Sequence, residues 1–246
     1  MRNTIISTLL LLTASAAAAA QERTPATRGI PTDQLCGAEV SLVVPAKAIR
    51  IAGGPQREKQ LFSPGDAVII NAGSAQGVKA GQQFVVRRVV EDRFAHPTLG
   101  ETTRSVHTAG WLALLEVQAD VSIAKITGAC DGVIQGDYLE PLIVPPPPAD
   151  LNGGEPDYAH PARLVLGDER RQMGGAGSLL VMDRGTDHGV RIGQRLTLFR
   201  QTLEGKGPVA KVGDAVIVTT HAETSLIRII SSTDAVYVGD LIAIHR

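Results

Sequence analysis

The sequence predicts an all-β protein, in which two tandem repeats of a small β-barrel or sandwich are joined by a Pro-rich linker. Three observations lead to this prediction. The second half of the chain repeats the glycine pattern of the first half, short segments rich in Val, Ile and Leu alternate with turn residues, and no segment holds the 3.6-residue period of an amphipathic helix over three turns.

The composition is that of a folded chain with balanced charge. Of the 246 residues, 43% are hydrophobic and 20% are charged, and the formal net charge is −1. Such a chain forms a core rather than remaining disordered. The balanced charge and an aromatic content of only 3% disfavour nucleic-acid binding and a sugar-stacking cleft.

The first twenty residues have the pattern of a secretory signal peptide. Arg2 precedes an apolar stretch from Ile5 to Leu12, and small residues then continue to Ala20, before Gln21. We expect cleavage after residue 20 and a periplasmic or secreted protein with no remaining transmembrane span. An uncleaved N-terminal anchor is the alternative, although the apolar stretch is shorter than the roughly 20 residues that a membrane span needs. Residues 21–45 then form an N-terminal segment.

The two cysteines of the chain are Cys36 and Cys130. An even number of cysteines in an exported protein predicts a disulfide, because the compartment is oxidising. Two buried free thiols are the alternative.

The internal repeat defines the domain organisation. Residues 68–86 align with residues 180–198 at an offset of 112, and later blocks align at an offset of 103. The first copy therefore has nine extra residues, which fall between Glu91 and His107. Upstream, Ala48–Gly53 resembles Ala162–Gly167, so the two repeats span 46–143 and 161–246.

The linker between the repeats is residues 144–160, and it contains Pro145–Pro148. We expect a stiff polyproline II spacer followed by a flexible Asn-Gly-Gly. A Pro-rich ligand for an aromatic groove is the less favoured alternative.

Short β-branched segments place the strands of each copy. The strands expected in the first copy are Val68–Ile70, Gln83–Val89, Leu112–Val117, Val121–Ile126 and Tyr138–Ile143. Those expected in the second copy are Leu179–Met182, Arg195–Phe199, Ala215–Thr220, Ser225–Ile230 and Leu241–Ile244.

A glycine-rich motif recurs between two strands of each copy, and a Gly-Asp pair precedes each last strand. Glycine permits the positive φ of tight turns, and an Asn or Asp side chain can close an Asx-turn. A phosphate-binding loop is disfavoured because a strand, not a helix, follows the motif. The predicted structural turn residues are Asn71, Gly73, Gly77, Gly81, Gly136 and Asp137 in the first copy, and Asp183, Gly185, Gly189, Gly193, Gly239 and Asp240 in the second. Val78 and Val190, within the motif, are expected to place apolar side chains under the barrel.

The familiar signatures of catalysis and metal binding are absent from the sequence. It contains no Gly-x-Ser-x-Gly elbow, its six histidines show no paired spacing, and its acidic residues do not form a calcium loop. We therefore predict no cofactor, no metal site and no enzymatic activity. A hydrolase that uses His107 or His188 with a nearby carboxylate is the least favoured alternative.

The repeated motif, followed by the Gly-Asp pair before a last strand, resembles a known type of module. It is similar to the small C-terminal β-barrel of the flagellar assembly protein T family and to exported envelope proteins in which such units precede a peptidoglycan-binding LysM domain. The resemblance covers Val68–Leu142 and Leu180–Ile244, and no LysM segment follows either copy. It implies a non-enzymatic envelope module.

We therefore expect an exported structural or interaction module of the bacterial cell envelope. The expected partner is an envelope protein or a peptidoglycan-associated component rather than a nucleic acid, and two linked copies suit bivalent contact with it. A periplasmic protein that binds a small molecule or a glycan between the barrels is the alternative. The Trp and Tyr side chains that could serve it are Trp111, Tyr138, Tyr158 and Tyr237, and a pocket that joins two of them across the interface would favour this function.

Overall fold

The computed structural model describes residues 35–41, 48–90, 104–144, 153–167, 171–202 and 207–246. The predicted signal peptide, Pro145–Pro148 and most of the nine-residue insertion lie outside these ranges. Within them, no helix is long and apolar enough to cross a membrane.

The first repeat folds into a closed six-stranded barrel. Its strands are hydrogen-bonded in the order β6-β5-β9-β2-β4-β7, and β7 returns to β6 to close the ring. A further strand, β1, pairs with β6 from outside the ring. The strands of this half are β1 (Ala38–Ser41), β2 (Ile49–Gly53), β3 (Leu61–Phe62), β4 (Ala67–Ile70), β5 (Gln83–Val90), β6 (Arg104–Val117), β7 (Ser122–Ala129), β8 (Val133–Ile134) and β9 (Tyr138–Pro141).

The second repeat forms a closed barrel of the same kind, in the order β10-β12-β15-β14-β13-β17. Its strands are β10 (Pro156–Gly167), β11 (Met173–Gly174), β12 (Leu179–Met182), β13 (Arg195–Gln201), β14 (Val209–Thr220), β15 (Ser225–Ser232), β16 (Val236–Tyr237) and β17 (Leu241–His245). The predicted all-β fold of two tandem barrels is confirmed.

The barrels correspond strand by strand. The rings β2, β4, β5, β6, β7, β9 and β10, β12, β13, β14, β15, β17 have the same order, and a two-stranded ribbon lies beside each ring, β3 with β8 and β11 with β16. The change of offset falls between β5 and β6, since Val86 pairs with Gly110 where Leu198 pairs with Gly213. The insertion therefore lengthens one hairpin and leaves the barrel closed.

The upstream alignment needs a correction of one residue. Arg50 donates its backbone N–H to the Asn71 side chain, and Arg163 donates its backbone N–H to the Asp183 side chain. Arg50 is therefore the counterpart of Arg163, whereas the sequence alignment placed Ile49 there. The register shift within β2 and within β10 makes this weakly patterned segment hard to align by residue type.

Each barrel encloses its own apolar core. Leu112 and Ile126 are fully buried in the first barrel, as Leu198 and Ile217 are in the second. This follows from strand alternation, which sends every second side chain inwards. Val78 and Val190 belong to the two cores, as predicted.

The predicted strands all overlap observed ones, but their ends differ. β6 begins at Arg104, eight residues before the expected start, and β10 takes in Pro156–His160, which the sequence assigns to the linker. Both extensions mix polar residues with apolar ones, so they lack the run of apolar residues by which a strand is recognised in a sequence.

Candidate functional site

The repeated glycines fall into two groups with different physical roles. Gly77 and Gly189 have φ of 80° and 76° at the end of a short 3-10 turn, in the left-handed region that favours glycine. Gly81, Gly136, Gly193 and Gly239 also have positive φ. Gly73 and Gly185 instead have extended backbones, and a Cβ there would lie only 2.3 Å and 2.2 Å from the carbonyl oxygens of Gln118 and His221. These last two glycines are needed for close approach of the backbone, not for a turn conformation.

Asn71 and Asp183 do not close Asx-turns. The Asn71 side chain accepts a hydrogen bond of 2.6 Å from the backbone N–H of Arg50, and Asp183 accepts one of 2.7 Å from that of Arg163. The residue two positions after Asn71, Gly73, donates its N–H to the Gln76 side chain instead. The expected local turn is thus replaced by a bond between strands that are distant in sequence.

An arginine in each barrel binds the aspartate of the Gly-Asp pair. Arg88 donates from Nε and Nη2 to the Asp137 carboxylate at 2.9 Å and 2.8 Å, and from Nη1 to Asp131 at 3.0 Å. Asp137 also accepts the backbone N–H of Ile134 at 2.9 Å. The hydrogen bonds to Asp137 raise the pKa of the Arg88 guanidinium above its ordinary value.

The second barrel repeats this arrangement. Arg200 donates to Asp240 at 3.0 Å and 2.7 Å and to Asp234 at 3.0 Å, and Asp240 accepts the backbone N–H of Tyr237 at 2.8 Å. Asp137 and Asp240 are both buried. A buried carboxylate needs such a partner, because the protein interior solvates charge poorly.

Sequence reasoning missed Arg88 and Arg200. The signal was present, since the two arginines stand at the offset of 112 that aligns the glycine motif. They lie two residues beyond the region used to define the repeat core, next to the insertion, where the alignment changes offset.

The strand β1 is attached to the first barrel on one side. Its residues pair antiparallel with β6, so that Ala38 lies opposite His107. The Cys36–Cys130 disulfide, with a Cα–Cα distance of 5.5 Å, joins a residue two positions before β1 to the turn after β7. The predicted disulfide is therefore confirmed, and it fixes β1 to the barrel wall.

The other side of β1 contacts the second barrel. Ala38 belongs to a buried apolar cluster with four residues of β10, β12 and β15, namely Val165, Leu166, Val181 and Leu226. We call β1 the bridging strand, because it pairs with β6 of the first barrel and packs its Ala38 side chain against the second. Burial of apolar surface stabilises this junction, but the hydrophobic effect is non-directional, so it does not set how one barrel is oriented on the other.

A carboxylate on the bridging strand links polar groups of the two barrels. Glu39 lies 3.1 Å from the Arg87 guanidinium of β5 and 3.1 Å from His221 Nε2 of the second barrel. Burial raises the pKa of Glu39, but the hydrogen bond from His221 and the charges of Arg87 and His221 outweigh burial, so that its pKa lies below the ordinary 4.5. The carboxylate is therefore ionised at neutral pH and acts as a polar connection between the barrels.

A cleft of about 320 Å³ lies beside the bridging strand, between the barrels. Glu39, Arg87 and His221 contribute polar groups to it, and Val85 and Ile192 contribute apolar ones. None of its lining residues is Trp or Tyr. The described cleft therefore does not join two of the Trp or Tyr side chains that would favour the small-molecule or glycan alternative.

The strand edge that the bridging strand covers in the first barrel is open in the second. Along β14, Val209–Lys211 pair with β13 on one side, but pairing with β15 begins only at Gly213. No described strand pairs with the outer side of Val209–Lys211. In the first barrel the equivalent residues of β6 pair with β1, and Thr108 donates its N–H to Gly37 O at 3.2 Å.

The two histidines considered for catalysis have different surroundings. His188 Nδ1 lies 3.2 Å from the backbone N of Gly185, in the position where the Gln76 side chain binds Gly73 in the other copy. His107 Nε2 lies 3.1 Å from Ser105 Oγ, and both residues are buried on β6, where that strand pairs with the bridging strand.

No group of three or more His, Cys, Asp or Glu side chains in the described ranges is placed to hold a metal ion. Neither a protein-family model nor a curated protein matches the chain.

Proposed function

We propose that this protein is an exported, non-enzymatic interaction module of the bacterial cell envelope, which binds an envelope protein by accepting an extended segment of it at the open edge of β14. The observation that carries the proposal is the difference between the two barrels at this edge. The first barrel has its own strand there, so the module already accommodates an antiparallel strand at that position. Strand addition at an exposed sheet edge is a general mode of peptide recognition.

The open edge has the chemistry that such a partner needs. Val209 is 51% exposed, and Lys211 stands where Thr108 donates to the bridging strand in the first barrel. Unpaired strand edges attract other strands, and an exposed apolar residue beside one adds contact area. The partner segment is expected to be extended and to place an apolar side chain opposite Val209.

The disulfide supports export. Disulfides persist in oxidising compartments, which include the periplasm and the cell exterior. Cys36 and Cys130 are also the sole cysteines of the chain, so no other thiol competes for pairing. The pattern of residues 1–20 and the resemblance to envelope barrels point to the same compartment.

The proposal is tested by photo-crosslinking in cells. A photoreactive residue replaces Val209 in the full chain, and the matched control carries it at Leu115, which is exposed to a similar extent, 53%, on the first barrel. We expect Val209, but not Leu115, to give a discrete adduct with one envelope protein. The crosslinked peptide of that protein, identified by mass spectrometry, should be a single extended segment.

A second variant separates strand addition from proximity. Lys211→Pro removes the edge N–H that corresponds to the Thr108 donor, and proline cannot take part in a new ladder. We expect the Val209 adduct to disappear in this variant while its melting temperature stays close to that of the parent protein. An adduct that persists in Lys211→Pro, or that forms equally from Leu115, contradicts binding by strand addition.

A further inference from the structure

A depression on the first barrel is lined by four arginines. Its volume is about 460 Å³, and Arg50, Arg87, Arg88 and Arg104 line it together with Tyr138 and residues 134–136. Asp137 is the one acidic residue in this lining, and it is bound to Arg88. The size is within the range of small-ligand sites, roughly 300–1,000 Å³.

The second barrel has only half of this arrangement. Arg163 and Arg200 correspond to Arg50 and Arg88 and make the same bonds, Arg163 to Gly239 O and Arg200 to Asp240. At the positions of Arg87 and Arg104, however, the second repeat has Phe199 and Gly207. Two arginines therefore belong to the shared barrel structure, and two are specific to the first barrel.

The arginines differ in how many donors they have already used. Arg88 is occupied by Asp137, Asp131 and Gly132, and Arg87 is occupied by Glu39, Glu140 and Thr108. The Arg50 side chain makes one hydrogen bond within the described residues, from Nη1 to Gly136 O at 2.8 Å. A guanidinium has five N–H donors, so most of those of Arg50 remain available.

Arg50 also lies against an aromatic ring. Its guanidinium carbon is 5.9 Å from the centroid of the Tyr138 ring, and Tyr138 is buried. Burial, followed by the nearby Glu140 carboxylate, raises the pKa of Tyr138 to about 12. The ring therefore carries no negative charge at neutral pH that would repel an anion. The Arg50 guanidinium lies over its face.

We propose that this depression binds the phosphate or carboxylate group of an anionic ligand, which Arg50 and the exposed Arg104 contact directly. A planar guanidinium matches two oxygens of such a group, which makes arginine the common residue for binding these anions. Arg87 and Arg88 hold the wall of the depression in place through their carboxylate partners. The anionic group belongs either to a free molecule or to the headgroup of a lipid.

The test measures binding of defined probes to the purified mature chain. Calorimetric titrations use inorganic phosphate and citrate, and a sedimentation assay uses vesicles of phosphatidylglycerol, with phosphatidylcholine vesicles as the neutral control. We expect the double variant Arg50→Gln/Arg104→Gln to bind the preferred probe about tenfold more weakly or worse. Arg163→Gln, which removes the matching arginine of the second barrel, should bind as the parent protein does.

The outcomes distinguish the sources and decide the proposal. Binding of phosphate or citrate identifies a free anion, and binding of phosphatidylglycerol vesicles alone identifies a lipid headgroup. If none of the probes binds, or if Arg163→Gln weakens binding as much as the double variant does, the proposal is overturned. Arg104→Gln alone serves as a second variant, because Arg104 is exposed and its replacement leaves the Arg50–Gly136 bond intact.

Discussion

The same strand edge is closed in the first barrel and open in the second. On β6, Ser105, Val106 and His107 are 7% exposed or less under the bridging strand, whereas Val209 on β14 is 51% exposed. The repeats otherwise share their strand order and their buried arginine–aspartate pairs. The two barrels thus share the ion pairs that stabilise each barrel wall, and they differ in whether this strand edge is covered.

The difference at the edge has a covalent basis. Cys130, which anchors the bridging strand, has Thr233 as its counterpart in the second repeat. The backbone N–H of Thr233 and that of Cys130 bind equivalent carbonyls, on Val212 and Ala109. The turn is therefore alike in both barrels, and the second has a threonine where the first has the cysteine that holds the bridging strand.

The largest expected effect comes from making the first barrel resemble the second. Cys36→Ser with Cys130→Thr removes a cross-link between residues 94 positions apart. In the chain-entropy model this lowers the free energy of unfolding by about 4 kcal/mol. Urea unfolding measures the loss, and hydrogen exchange should locate it in β1 and β6. The control is the parent protein with its disulfide reduced, which should behave as the variant does. Equal hydrogen exchange in β6 and β14 of the oxidised parent protein would contradict the description of β6 as covered and β14 as open.

The next effect tests what the barrels share. Asp137→Asn and Asp240→Asn each leave an arginine without its buried carboxylate, and each should lower the free energy of unfolding by about 3 kcal/mol. Hydrogen exchange should show the loss in the first barrel for one variant and in the second for the other. Asp131→Asn is the matched control, because Asp131 is 52% exposed and its pair with Arg88 should contribute less than about 1 kcal/mol. A loss confined to the same barrel in both variants would show that the two pairs are not equivalent.

The fold was predictable because its signals are local and occur twice. Alternating apolar residues identify strands such as Arg195–Gln201, and a constant offset identifies the repeat. The bridging strand gave no such signal. Ala38–Ser41 is short and half polar, and its place depends on a disulfide and on contacts with residues more than 100 positions away, such as Val165 and Leu226.

The candidate sites show the same division. The positive φ of Gly77 follows from a turn that its neighbours define, but the need for glycine at Gly73 comes from the carbonyl of Gln118, on a different hairpin. Glu39 and His221 are ordinary polar residues in the sequence and meet only because the barrels pack on one strand. Sequence patterns report periodicity and local conformation, and they do not report which distant polar groups come together.

The smallest expected effect concerns the polar link across the junction. Because the pKa of Glu39 is lowered in the folded protein, its charge stabilises the fold fully above pH 4.5, and this contribution is lost as the pH falls through the lowered pKa. Glu39→Gln should therefore be less stable than the parent protein at pH 7, by about 1 kcal/mol, and the difference should shrink in acid. The groups that face Glu39 are Arg87 and His221, and both remain in the variant.

Thermal unfolding of both proteins at a series of pH values measures the difference in stability, in which the titration of all other carboxylates cancels. Glu116→Gln, at an exposed position on β6, is the control for removal of a surface carboxylate. A difference for Glu39→Gln that stays constant from pH 7 to acid would mean that its ionisation does not stabilise the junction between the barrels.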